Sequence, residues 1–168
     1  MAKRVAGWFL LLLTLSLVGC DHATKAAAEA TLGSAGPVAI VKGLLELSYV
    51  QNHDTAFSLT RYVSLSLPSK PFVLAGLAML ATLLVAGAAW RRRARASRLE
   101  QVATALVVAG AVGNLLDRLT RGYVIDFIHL QHWPVFNVAD VLICVGAALL
   151  AWGAAQAARP PASPNESG

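Results

Sequence analysis

At 168 residues the chain suits a single domain, and 57% of it is hydrophobic while only 14% is charged. A soluble domain carries about a quarter charged residues, so the composition excludes an ordinary water-soluble core and makes the bilayer the expected solvent. The net charge of +5 does not point to nucleic acid, because Arg91, Arg92, Arg93, Arg95 and Arg98 crowd one short segment between apolar stretches and Lys3 and Arg4 precede the first. Clusters so placed mark the cytoplasmic side of a membrane protein.

Four apolar stretches follow in order: Val5 to Cys20, Pro71 to Trp90, Val102 to Leu119 and Val138 to Ala155. A spanning helix needs about 20 apolar residues, and the last three meet that length; the first reaches it by continuing through Ala23 and Ala26–Ala28. The crowded arginines place both termini inside, so residues 21–70 and 120–137 are expected outside the cytoplasm. The expected fold class is membrane all-α, with four transmembrane helices and a small β-rich extracytoplasmic segment, about residues 35–60, between the first and second. Within it Val38-Ala39-Ile40-Val41 and Leu45-Glu46-Leu47-Ser48-Tyr49-Val50 are β-prone, and Lys42-Gly43 suits a turn. The helical domain is expected over residues 1–157, with a disordered cytoplasmic tail over 158–168, rich in Pro and Ser.

Leu17-Val18-Gly19-Cys20 after Lys3-Arg4 imitates a lipoprotein signal, which predicts cleavage before Cys20. Three further spanning stretches argue against it, since a lipoprotein so matured has a soluble remainder. Cys20 and Cys144 show neither metal spacing nor a disulfide framework and are expected to be small buried apolar side chains.

Ionisable groups at membrane depth are costly and by default mark function. Asp21 and Lys25, four apart, share a helix face; a plain ion pair explains them in part. Asn114 shares a face with Asp117 and Arg118, and Gly110 and Gly113 would admit a neighbouring helix. Structurally, Asp117 with Arg118 is a helix-end ion pair, whereas Asn114 needs a partner. Asp140 falls in the first turn of the last helix, where the dipole favours a carboxylate, with Asn137 as the better cap. No such account serves Asp126, which stands in the apolar run Tyr123-Val124-Ile125-Asp126-Phe127-Ile128. Two carboxylates near one depth, with no basic neighbour in sequence, point to a pair sharing a proton, one acting as base and the other as acid. That chemistry suits peptide hydrolysis by activated water. No Gly-x-Ser-x-Gly or HExxH motif competes, and His129 and His132, three apart, are expected to be interfacial. No metal or other cofactor is expected.

Asp21-His22-Ala23-Thr24-Lys25, Gly113-Asn114-Leu115-Leu116-Asp117-Arg118, Val124-Ile125-Asp126-Phe127 and Phe136-Asn137-Val138-Ala139-Asp140 resemble the ordered signature blocks of the lipoprotein signal peptidase (signal peptidase II) family. The resemblance implies an aspartic endopeptidase of the bacterial inner membrane with its active site facing the periplasm. It would cut before the diacylglyceryl-modified cysteine of a prolipoprotein, acting as a monomer among membrane lipids and without nucleic acid. By position, Asp126 and Asp140 would be the catalytic dyad; Asn52, Asn114, Arg118 and Asn137 would surround it, with Asp21, Lys25 and Asp117 orienting the site. One departure stands out. Where the family reads Asn-x-Gly-Ala-Ala-Phe, this chain has Asn52-His53-Asp54-Thr55-Ala56-Phe57, with Asp54 for Gly and Thr55 for Ala. Asp tolerates a left-handed backbone better than most residues, and it adds a third carboxylate near the site. The alternatives are a catalytically altered paralogue or a non-enzymatic polytopic protein. A transporter would favour polar groups at mid-helix rather than at one end.

Overall fold

The computed structural model describes residues 2–53 and 96–158, with positions 80, 84, 87, 88 and 91 between them. The elements run α1 (Ala2–Ala35), β1 (Val38–Val41), β2 (Leu45–Asn52), α2 (Arg98–Arg121), β3 (Val124–Leu130) and α3 (Val138–Ala157). Gly7–Ala35, Arg98–Arg121 and Val138–Ala157 are long and apolar enough to cross a membrane. Trp8, Phe9, Leu12 and Leu15 on α1 and Val141, Val145 and Trp152 on α3 are exposed, the arrangement of a molecule solvated by lipid. Of the stretch expected to form the second spanning helix, only isolated positions are described, and these are helical. The remainder of that expectation, and Asp54 to Phe57, lie outside the described residues.

Local chemistry sets the helix ends. Ser97 caps α2 in a reciprocal box with Glu100, and Gly122, at φ 80°, closes its C-terminus in the left-handed region that glycine enters without a Cβ clash. Asn137 caps α3, as its place three residues before Asp140 predicts.

Three expectations change. Cys20 and Cys144 are exposed rather than buried. Helix α1 runs past Ala28 to Ala35, so Asp21 and Lys25 lie well inside it, as does Gly19-Cys20. Its 29-residue apolar portion is about 43 Å long at ~1.5 Å per residue, against a hydrocarbon core of ~30 Å. The C-terminal surplus carries the sheet: Ala28 and Leu32 are buried with Ile125 and Phe127, and Leu47, Tyr49 and Val138 pack around them. The β structure, moreover, is not confined to the segment after the first helix. The expected hairpin forms, and β3, from between the last two helices, joins it in an antiparallel sheet of order β1-β2-β3. Asp126 therefore sits in a strand. Alternation sends Ile125 and Phe127 toward α1 and turns Asp126 to the other face.

Glycine decides how closely α2 meets its neighbours. A Cβ on Gly110 would lie 2.3 Å from the Ala139 carbonyl oxygen, and one on Gly146 would lie 2.6 Å from the Ala103 carbonyl oxygen. Close helix approach at small residues is the usual device where lipid surrounds the bundle.

Candidate active site

The site forms where the first turn of α3 meets β3, the C-terminal half of α2 and the end of β2. Asn137 ties it together. Its side-chain oxygen accepts from the Asp140 backbone N–H at 3.0 Å, and its own N–H donates to Asp140 Oδ2 at 3.4 Å, completing the capping box. Its Nδ2 donates to Asp126 Oδ1 at 2.6 Å and to Asn114 Oδ1 at 3.2 Å. One short residue thus fixes both carboxylates, and a cap that the helix needs for its orphan N–H groups also serves the site.

Each carboxylate has a further amide donor. Asn114 Nδ2 donates to Asp140 Oδ1 at 2.8 Å, and Asn52 Nδ2 donates to Asp126 Oδ2 at 2.7 Å. The second bond follows from sheet register: Asn52 pairs with Val124, and Asp126, two residues on, is its diagonal neighbour on the same face. Both aspartates are buried. Burial is the largest influence on Asp126 and pushes its carboxyl up to about 6; the Asn52 bond opposes this, the Asp140 charge adds to it, and the Asn137 bond and Lys25 oppose it. An acid poised near neutrality beside a second carboxyl can hold a proton while its partner is ionised.

Behind the pair lies a buried ionic layer. Lys25 Nζ is 2.8 Å from Asp21 Oδ2, 2.8 Å from Asp117 Oδ2 and 3.0 Å from Asn114 Oδ1. Asp21 Oδ1 accepts from the Ala139 backbone N–H at 2.9 Å, so α1 caps the helix that carries Asp140. Asp117 also pairs with Arg121, which reaches Glu29 at 3.7 Å. Arg118 donates through Nη1 to the Asn114 carbonyl at 3.1 Å, and its charge faces Asp140, Asp126 and Asp117.

All nine residues singled out from sequence fall into these two layers: Asp126, Asp140, Asn52, Asn114 and Asn137 around the carboxyls, with Arg118 beside them, and Asp21, Lys25 and Asp117 behind. The expected Asp117–Arg118 neighbour pair gives way to an ion pair across helices with Lys25 and one along α2 with Arg121, whose four-residue spacing brings the side chains together where adjacent residues diverge. Arg121 and Glu29 were missed; the four-residue spacing of Asp117 and Arg121 was the available signal. The bridging of both aspartates by Asn137 was not legible, since a cap motif says nothing of a strand brought in from elsewhere. Among the described residues, no group of three His, Cys, Asp or Glu is arranged to hold a metal ion.

Comparison with known proteins accords with this geometry. A family model described as signal peptidase (SPase) II matches residues 13–156. The lipoprotein signal peptidase of Geobacter metallireducens is 39% identical over 147 residues, covering 85% of this chain and 87% of that one. That of Syntrophomonas wolfei is also 39% identical, covering 88% and 89%, and that of Pseudoalteromonas translucida is 36% identical, covering 89% of each. Two solved structures of bacterial membrane enzymes share the fold, each with TM-score 0.70, at 20% and 23% identity over 92% and 87% of this chain. The family model across residues 13–156 and these relatives show that the chain belongs to the signal peptidase II family.

Proposed function

We propose that this chain is a membrane protease of the aspartic type, which removes signal peptides from diacylglyceryl-modified prolipoproteins through the dyad Asp126 and Asp140. The observation that carries the reading is Asn137, a single side chain that holds one carboxyl through its amide nitrogen and caps the helix bearing the other. The ionised member of the pair takes a proton from a water molecule as that water's oxygen attacks the scissile carbonyl. The protonated member donates to the carbonyl oxygen as charge develops there. When the C–N bond breaks, the proton taken from water passes to the departing amine. Asn52 and Asn114 hold the two carboxyls at fixed orientation, and Arg118 beside them offers a cation to the substrate backbone.

The topology supported by the charge distribution places both termini in the cytoplasm of a bacterial cell and the sheet on the periplasmic face of its inner membrane. The chain works as a monomer, its four-helix domain over residues 1–157 and its tail over 158–168. Neither metal nor other cofactor enters the chemistry.

Purified protein in detergent micelles should cut a diacylglyceryl-modified prolipoprotein peptide immediately before the modified cysteine, identified by the mass of the released signal peptide. A chelator should leave the rate unchanged. No cleavage of that peptide, or activity lost to the chelator and restored by zinc, would sink the proposal.

A further inference from the structure

We propose that Lys25 is a positioning residue for the dyad: its buried ammonium holds the Asn114 side-chain amide with the oxygen inward and the nitrogen turned to Asp140. The inference deepens the reading of Asp126 and Asp140 as the hydrolytic pair and rests on it.

Lys25 is fully buried, a costly place for a charge unless every donor is met. An ammonium has three protons to donate, and three acceptors stand within 3.0 Å: Asp21 Oδ2, Asp117 Oδ2 and Asn114 Oδ1. Two carboxylates already balance its charge. The third contact falls on a neutral amide, and that amide is the one bonded to Asp140.

The two ends of an amide have nearly the same shape, so its direction is set by what surrounds it. Asn114 Oδ1 faces two donors, Lys25 Nζ at 3.0 Å and Asn137 Nδ2 at 3.2 Å, while its Nδ2 faces Asp140 Oδ1 at 2.8 Å. Turned over, it would aim N–H groups at an ammonium and an oxygen at a carboxyl, two repulsions at once. Without Lys25 the direction would rest on Asp140 itself and on Asn137 Nδ2, whose shorter bond, 2.6 Å, goes to Asp126. Lys25 therefore keeps an N–H of the Asn114 amide on Asp140. Among the described residues, the other charged and titratable groups facing this point are Asp21 and His22 from α1, Asp117, Arg118 and Arg121 from α2, Asp126 from β3 and Asp140 from α3.

Removing Lys25 alone would strand buried carboxylates and could unfold the protein, so the test removes one charge of each sign. Asp21→Asn keeps an oxygen for the Ala139 N–H, and Asp117 keeps Arg121. Asp21→Asn/Lys25→Met is compared with Asp21→Asn, and a third protein, Asp21→Asn/Lys25→Gln, restores a neutral donor near Asn114. Turnover of a diacylglyceryl-modified peptide and melting temperature are measured on each in micelles. Relative to Asp21→Asn, the Met variant should lose about 10- to 100-fold in kcat with KM changed by less than about threefold. The acidic limb of its kcat/KM profile should move upward by about half a pH unit or more, since a donor to a carboxylate has been lost. The Gln variant should recover part of the kcat. Turnover equal to that of Asp21→Asn, or kcat that merely follows melting temperature across the three proteins with one unchanged pH profile, would overturn the role of Lys25. Asp126→Asn and Asp140→Asn run in the same assay separate the two ideas: if they retain turnover the dyad itself fails, whereas their inactivity beside a fully active Met variant removes Lys25 alone.

Discussion

Asp126 and Asp140 receive their hydrogen bonds from amides rather than from cations, and this shapes what each can do. Asn52 and Asn137 both donate to Asp126, so an amide at that position would set N–H against N–H at one of its two contacts. Asp126→Asn and Asp140→Asn should each lower kcat about a thousandfold or more while the protein stays folded, because the proposed mechanism gives each carboxyl its own proton to move. Near-normal turnover by either, in folded protein, would show the dyad misassigned. Asn114→Ala and Arg118→Ala should cost less than the dyad changes, since they hold and orient. The pH dependence of stability follows from the Asp126 carboxyl at about 6 in the fold, against about 3.9 when unfolded. A raised carboxyl favours folding while protonated: the contribution is complete below the unfolded value and fades as pH climbs through about 6. It amounts to something on the order of 3 kcal/mol. Melting temperature in micelles should therefore fall between pH 4 and pH 7, and Asp126→Asn should make that slope shallower. An unaltered slope would mean that Asp126 is not held as an uncharged acid by its burial.

At the scale of elements, the site depends on how close α2 comes to α1 and α3. A Cβ on Gly113 would sit 2.6 Å from Asp21 Oδ2, the oxygen that Lys25 contacts. Gly113→Ala should push that carboxylate off the Ala139 N–H and slacken the turn carrying Asp140, cutting kcat about tenfold. On Gly110 the obstacle is the Ala139 backbone, which cannot swing aside. Gly110→Ala should separate α2 from α3 and destabilise the fold by about 1–3 kcal/mol. An unchanged melting temperature would contradict the close crossing. These glycines were legible in sequence as an approach point, and so were α2, α3, the β1–β2 hairpin and the Asn137 cap, since each follows from a local pattern of apolar runs, turn residues or cap spacing. The reach of α1 beyond Ala28 was not, because Glu29, Thr31, Gly33 and Ser34 break the apolar run there. Strand β3 was hidden for a related reason: it is buried on both faces at its start, so Val124-Ile125-Asp126-Phe127 shows no polar alternation. The pairing that brings Asn52 to Asp126 joins residues 74 apart in sequence, and no local pattern carries such information.

Across the whole molecule, the position of the dyad bears on which peptides reach it. Helix α3 has 20 residues, about 30 Å, which matches the hydrocarbon thickness and leaves its first turn, with Asp140, at the boundary with water. Asp126 joins it there from a strand resting on the outer reach of α1. A water-borne peptide has no reason to dwell at that depth. A diacylglyceryl group supplies one, since each buried CH₂ contributes about 0.8 kcal/mol to anchoring, and it holds the modified cysteine at the interface beside the bond to be cut. The side chains bonded to the two carboxyls are the amides of Asn52, Asn114 and Asn137, and recognition by anchoring and backbone contact suits such a site. One prolipoprotein peptide, prepared with and without the lipid, should therefore differ by about a hundredfold or more in kcat/KM. The difference should shrink when both forms are tethered to the same micelle by an unrelated acyl chain, because anchoring and not the shape of the glyceryl group is its source. Equal cleavage of the free forms would mean that the site reads side chains alone, and a difference that survived tethering would mean that it reads the glyceryl group itself.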